Sequence, residues 1–328
     1  MDWERRCIRM CAAVLLCAVV LRLWSAGALA PVGQALSRSE TASFLLYLHT
    51  GRVIRSLPEQ DWEELPPASQ PALRDQVQKR TFRAADAALV AIDDTCGKAP
   101  DAAALLTAEL DLDLTGPGPK VLILHTHTTE SFTQTADRYE ESSPYRTLDA
   151  GHNMIALGKI VADILREAGV EVIHDTTLHD YPSYNGSYSH AAAAAKAYLE
   201  QYPSIGLILD LHRDAADTPT GQLATRCTVG GEKSAQLMFV VGTDTRLNHP
   251  DWEKNMSLAL KLQVLLEQKN PGLTRPNLLR GCVFNQDLLA GMLIVEVGTA
   301  GNSLAEALTA MPPLADAIAI LSAGANLK

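Results

Sequence analysis

Val-Leu-Ile-Leu-His-Thr-His-Thr-Thr-Glu, residues Val121 to Glu130, decides how this chain folds. Four apolar residues run without a break and end in two histidines and a glutamate. A short, continuous apolar run of this kind predicts a strand buried on both faces, as in a parallel sheet. Two further runs share the pattern. Ile205 to Leu211 carries one charge, Asp210, and leads into His212-Arg213-Asp214; Met292 to Val297 holds Glu296 inside it. Open parallel sheets bind ligands beyond the carboxyl ends of their strands. Residues far apart in sequence are therefore expected to meet along one edge of one sheet.

Outward from these runs the chain alternates. Val170 to Ile173 and Leu237 to Val241 also predict strands. Asn153 to Ala168 sets Met154, Leu157, Val161, Ile164 and Leu165 on one helical face and stops at Gly169, suited to a C′ glycine. Ser189 to Gln201, Asp251 to Gln268 and Leu304 to Leu321 predict further helices. The fold class that follows is α/β: an open, mainly parallel sheet with helices on both faces, over residues 119–328.

The first 118 residues differ. Arg5, Arg6 and Arg9 precede an apolar run from Cys11 to Leu21, and Arg22 interrupts it before Leu23 to Ala30. Residues 1–30 read as a signal anchor, since Ile8 to Leu29 reaches the roughly 20 residues a bilayer needs. Ala28-Leu-Ala30 offers a cleavage signal, but Pro31 follows it directly. The positive-inside rule sets the remainder outside the cytoplasm. Residues 31–118 read as a membrane-proximal helical and linker region. It has expected helices at Thr41 to Arg55 and Ala72 to Ile92, and a Gly- and Pro-rich boundary ending at Pro119.

Composition narrows the function. Lys and Arg total 28 against 38 Asp and Glu, a net charge of -10 with no long basic block, which disfavours nucleic acid as a partner. The six cysteines include no C-x-x-C pair, so neither a Cys-based zinc site nor a disulfide framework is indicated.

Histidine and glutamate carry the chemistry. His127 and Glu130 lie three residues apart, a spacing that brings side chains to one face of a helical turn. His125 competes for the same role, or sits buried behind it. His212 follows a strand, with Asp210 on the same side of the chain and able to accept a hydrogen bond from an imidazole. Arg213 either pairs with Asp214 or meets an anionic substrate. Two histidines and one carboxylate, with a position left open, suit a catalytic zinc ion. Glu296 stands in an apolar strand where a charge is costly without a partner, and burial would raise its pKa towards that of a general base. The polar, aromatic segment His174 to Tyr188 predicts a loop near a strand's carboxyl end; Tyr184 and Asn185 are its candidates for substrate contact. His174 and His179 are remoter metal candidates.

Longer motifs carry a resemblance. His125-Thr-His-Thr-Thr-Glu-Ser131, His179-Asp-Tyr-Pro-Ser-Tyr-Asn-Gly-Ser-Tyr188, Asn285-Gln-Asp287, Asp210-Leu-His-Arg-Asp-Ala215 and Val295-Glu-Val-Gly-Thr299 with Asn302 resemble the stage II sporulation protein P family over roughly residues 119–328. The resemblance implies a three-layer fold like that of the zinc N-acetylmuramoyl-L-alanine amidases. It implies hydrolysis of the amide between muramic acid and L-alanine in peptidoglycan, with possible endopeptidase action on stem peptides. It assigns Zn2+ to His127, Glu130 and His212, and the catalytic carboxylate to Glu296. It further implies action during engulfment, between mother cell and forespore, with the stage II sporulation proteins D, M and Q as partners. Phe132 stands where the family pattern leads one to expect Tyr. The competing expectation is a catalytically silent wall-binding scaffold of a sporulation membrane complex.

Overall fold

Strand formation starts where the apolar runs place it. In the computed structural model, which describes residues 81–324 except 111, 113, 137, 219 and 220, Val121–Leu124 is a strand with all four side chains buried. The described chain begins with a 3-10 turn, Ala84–Leu89, followed by β1 (Ile92–Asp94), α1 (Ala102–Thr107), β2 (Val121–Leu124), α2 (Met154–Glu167), β3 (Val172–His174), α3 (Ser187–Gln201) and β4 (Leu207–Asp214). Two short hairpins follow, β5 (Asp217–Thr218) with β6 (Gly221–Gln222) and β7 (Arg226–Val229) with β8 (Glu232–Ala235). Next come β9 (Leu237–Gly242), α4 (Trp252–Lys269), β10 (Asn277–Arg280), β11 (Met292–Thr299), α5 (Leu304–Thr309) and α6 (Met311–Gly324).

The main sheet has seven strands in the order β1-β10-β9-β11-β4-β2-β3. It is mainly parallel, as expected, with one exception that matters. β1, β10 and β9 run parallel to one another, and β11, β4, β2 and β3 run parallel to one another. The two sets meet antiparallel at β9 and β11. Their carboxyl ends therefore lie at opposite edges of the sheet. Every strand bearing His127, His212 or Glu296 belongs to the second set.

The two faces are covered unequally. Leu209 and Leu211 of β4, with Val295 and Val297 of β11, point into the main core beside α2, α4 and α6. Strand alternation sends Asp210, His212 and Glu296 to the opposite face. There Met238, Val240 and Ile294 pack against Tyr188 of α3, Leu278 and Phe284. One helix covers that face where several cover the other, and the polar groups occupy the room this leaves.

Helix boundaries follow local chemistry. The Asn153 side chain accepts the Ile155 N–H and starts α2, and Gly169 at φ 82° ends it. The single helix expected from Leu304 to Leu321 is two, because Pro312 and Pro313 lack an N–H and fit only a first turn. Leu304–Ser322 is also the one described segment long and apolar enough to cross a membrane. Here Ala307, Leu314, Ile318 and Leu321 fill the main core.

The amino-terminal boundary differs from expectation. The signal anchor and the Thr41 to Arg55 helix lie outside the described residues. Of the helix expected up to Ile92, the described part is a 3-10 turn leading into a strand. β1 extends the sheet by pairing with β10, and Leu106, Leu112 and Leu114 enter the main core. Lys261 of α4, buried, donates to the Leu105 and Ala108 carbonyls. Residues 82–114 are thus part of the sheet domain, although their composition reads as a linker. A protein beginning at residue 81 should unfold cooperatively. One beginning at residue 119 should lose three buried leucines, worth about 2 kcal/mol each, and expose β10. Denaturation of the two by urea tests this; equal stability would refute it.

Candidate active site

The turn after β2 is fixed before any ligand is considered. Asp210, fully buried on β4, accepts the Thr126 N–H at 2.7 Å and its hydroxyl at 2.6 Å. Thr128 donates to the His125 carbonyl, and the Glu130 N–H returns to the His127 carbonyl at 3.1 Å. His127 and Glu130 are therefore held at the two ends of one tight turn, as their spacing predicts. Glu130 Oε2 accepts the Arg213 backbone N–H at 3.1 Å and lies 3.9 Å from His212 Nδ1.

His212 and Glu296 are register partners on β4 and β11. A bulge follows Glu296, where Gly298 adopts φ 60° with Asn302 folded against it. The Asn302 side chain accepts the Thr299 and Thr225 N–H groups, which locks the bulge. The Val-Gly-Thr and Asn302 motif is explained by this geometry.

Rings converge around His127. His212 meets it edge-on with centroids 5.1 Å apart, Tyr188 edge-on at 5.5 Å, and Tyr184 stacks on it at 4.5 Å. The Tyr184 hydroxyl lies 3.1 Å from His127 Nε2. Arg146 lies over the Tyr184 ring, 4.9 Å from its centroid, and bridges Glu130 (3.3 Å) and Asp180 (2.5 Å). Asp180 also accepts from the Thr129 backbone and hydroxyl, so the 175–186 loop is tied to the turn that carries His127. Arg146, which sequence reasoning passed over, carries no motif of its own. Its part emerges only when the 140–147 loop pairs with residues 129–131.

Buried groups here lack partners. His127 Nδ1 and Glu296 Oε2 make no hydrogen bond. Asp210 Oδ1 stands 2.9 Å from His212 Nε2 as an ion pair, which leaves His212 Nδ1 on the side of Glu130, 3.9 Å from its Oε2. The charge states follow. Burial, then the charge of His212, pushes His127 down to about 3, so its imidazole is neutral. Burial also lowers His212, but the carboxylates of Asp210, Glu130 and Glu296 outweigh it and hold His212 up to about 10. Burial raises Glu296 to about 8 against the pull of His212. Burial and these carboxylates raise the Tyr188 phenol, which stays protonated.

Among the described residues, no group of three or more His, Cys, Asp or Glu side chains stands arranged to hold a metal ion as it is. The donor chemistry nevertheless suits one. His127, with an unpartnered buried Nδ1, and His212, with its Nδ1 towards Glu130, adjoin that buried carboxylate on rigid elements, and a second carboxylate with an unpartnered oxygen lies beside them.

Other candidates fall elsewhere. His125 turns away, its Nε2 2.9 Å from His174 Nε2 and its Nδ1 3.3 Å from the Leu211 carbonyl. Gly158 of α2 makes room for this pair, since a Cβ there would collide with both rings. His179 is engaged with Asp175 at 3.1 Å. Arg213 meets neither expectation. Its guanidinium donates to the Ser131 and Tyr145 carbonyls, while Asp214 pairs with Arg275. Asn185 is exposed at the rim.

The chain matches the family described as stage II sporulation protein P (SpoIIP) over residues 57–319, and it belongs to that family. It is 28% identical over 213 residues to stage II sporulation protein P of Bacillus subtilis (strain 168), a match covering 62% of this chain and 51% of that protein. The chain thus spans about half the length of that relative. Among solved structures, the apo N-acetylmuramyl-L-alanine amidase Ami1 of Mycobacterium abscessus is 11% identical with a TM-score of 0.38, covering 62% of this chain and 98% of that one. The amidase AmiC2 of Nostoc punctiforme is 14% identical with a TM-score of 0.38, over 62% and 97%. Likeness of this degree adds nothing to the fold already described.

The charge states make a testable statement. The pKa of Glu296 in the folded, metal-free protein lies above its ordinary 4.5. The stability contributed by its protonated form is complete below about 4.5 and is lost as pH rises through about 8. Between those values the native chain should lose about 1.4 kcal/mol per pH unit relative to Glu296→Gln. His212 adds a loss of its own as pH rises from about 6.5 through about 10. Denaturant titrations of both proteins from pH 5 to 9 measure the difference, and parallel curves would contradict it.

Proposed function

We propose that this protein is a zinc-dependent peptidoglycan hydrolase that cleaves the amide between muramic acid and L-alanine. The observation that carries this is the convergence at one sheet edge of His127, whose buried Nδ1 has no partner, His212, whose Nδ1 lies 3.9 Å from Glu130 Oε2, and Glu296, whose buried Oε2 has none. His127, Glu130 and His212 would hold the ion. Bound there, zinc supplies a water of lowered pKa and an electrophile for a carbonyl oxygen.

The chain's own residues do the rest. Asp210 stands against His212 and orients it. Arg146 and the Arg213 backbone hold Glu130. Glu296 Oε2 takes the proton from the attacking water and delivers it to the amine that leaves. Tyr181 and Tyr184, both exposed, rim the opening where glycan or stem peptide would lie. Family membership supports action in sporulation, during engulfment, between mother cell and forespore. There the stage II proteins D, M and Q are the partners to test, with residues 1–30 as membrane anchor. Endopeptidase action on stem peptides is the related activity.

Purified wall digested with the zinc-loaded protein tests the assignment. New L-alanine amino termini are expected, abolished by a chelator. Glu296→Gln should lower turnover by at least about a thousandfold with zinc content kept. Bound wall without new termini, from protein holding zinc, would favour the silent scaffold instead.

Zinc uptake should also release protons. At pH 7 His212 carries a proton that a ligand cannot keep. Calorimetry in buffers of differing ionisation enthalpy should therefore find about one proton or more released per ion, and affinity should rise with pH. His212→Ala should abolish both effects, and uptake without proton release would count against His212 as a ligand.

A further inference from the structure

Among the described residues, Tyr188 is the one aromatic side chain in ring contact with both imidazoles of the site. Its ring stands 5.5 Å from His127 and 6.4 Å from His212, nearly parallel to the latter. Tyr184, by contrast, has its hydroxyl engaged with His127 and its ring half exposed. Among the described residues no hydrogen bond occupies the Tyr188 hydroxyl, and the charges of Asp210, Glu296 and Glu130 bear on it.

The ring is held from several sides. It sits in the first turn of α3, against Phe284 at 6.0 Å. The Asn285 side chain donates to the Tyr188 carbonyl at 2.8 Å. Phe284 and Asn285 are consecutive non-glycine residues at φ 55° and 60°, a strained pairing. Gln286 anchors that strain: its amide accepts the Gly242 N–H and donates to the Val240 carbonyl, each at 2.7 Å. The Asn285-Gln-Asp287 motif thus builds a brace whose contact towards the site is Tyr188. A strained, fully anchored brace behind one aromatic ring is what a preorganised donor needs.

We propose that the Tyr188 hydroxyl donates a hydrogen bond to the oxygen of the scissile carbonyl as that oxygen gains charge. This rests on the amide-hydrolysing reading above. Among the described residues no other free side-chain donor flanks both imidazoles, since the Arg146 and Arg213 guanidiniums are committed to Glu130, Asp180 and backbone carbonyls.

The test uses the full chain loaded with zinc and a soluble muramoyl peptide. Tyr188→Phe keeps the ring and its packing. It should lower kcat on the order of a hundredfold while KM and zinc content stay unchanged. A tetrahedral phosphonate mimic of the muramoyl–L-alanine bond should bind Tyr188→Phe more weakly by the same factor. The uncleaved peptide, measured in a Glu296→Gln background, should bind with and without the hydroxyl equally well. Asn285→Ala, which frees the ring without removing it, should lower kcat about tenfold with zinc retained, and it serves if Tyr188→Phe does not fold. Native protein that cleaves the amide while these variants match it in kcat and mimic affinity overturns this assignment alone. Native protein inert towards the amide overturns the hydrolase reading, and this with it.

Discussion

The contact on which the site depends is between Asp210 and Thr126. A carboxylate buried in a sheet must be satisfied, and two short hydrogen bonds from one residue satisfy it. They tie the turn after β2 to the end of β4. With that tie the imidazoles of His127 and His212 come within ring contact; without it the turn could pivot and take Glu130 with it. Glu130 is fixed a second time by the Arg213 backbone N–H. Removing Asp210 would therefore cost more than a lost orientation of His212, because it would leave a buried N–H and hydroxyl unpaired.

Direction reversal in the sheet gives the site its place. Were all seven strands parallel, the carboxyl ends of β9 and β10 would crowd the same edge. As β9 runs antiparallel to β11, its end lies opposite, and the Gln286 amide closes it at Gly242. β11 is the central strand of the seven and, at one end of a parallel group of four, lies beside β4 with Glu296 and His212 side by side. The bulge after Glu296 interrupts the pairing with β4, which resumes at Thr299 and Asp214, at the residue where chemistry is expected to begin.

The sheet and its edge were legible because the deciding signals are local and strong. Val121 to Leu124, Ile205 to Leu211 and Met292 to Val297 are apolar runs that allow little else, and a charge inside one of them is conspicuous. The His127 and Glu130 spacing needed no tertiary knowledge. What escaped the sequence was set by tertiary contact. β1 is three residues, Ile-Asp-Asp, with no apolar alternation; it is a strand because β10 offers it an edge. β10 itself, Asn-Leu-Leu-Arg, is too short and mixed to stand out. Arg213 looked like a partner for Asp214 or a substrate, but the nearest unpaired acceptors were backbone carbonyls of a loop 68 and 82 residues away. Tyr188 was legible only as one aromatic among several, since its brace comes from residues nearly a hundred positions later.

Unpaired polar atoms complete the physical case. A buried donor or acceptor left without a partner costs about 1–3 kcal/mol, and two such atoms, His127 Nδ1 and Glu296 Oε2, lie here on either side of His212 in the set. Elsewhere on the same face the chain takes care to avoid that cost: Asp180, Asp210 and Gln286 each satisfy several groups at once. Other buried atoms of the described residues lack partners too, His249 among them, but only here do two such atoms adjoin a second imidazole and a second carboxylate. Their types decide what partners they take. Imidazole nitrogens beside a carboxylate accept a divalent cation, and a glutamate whose proton is loosely held near neutrality accepts and returns one.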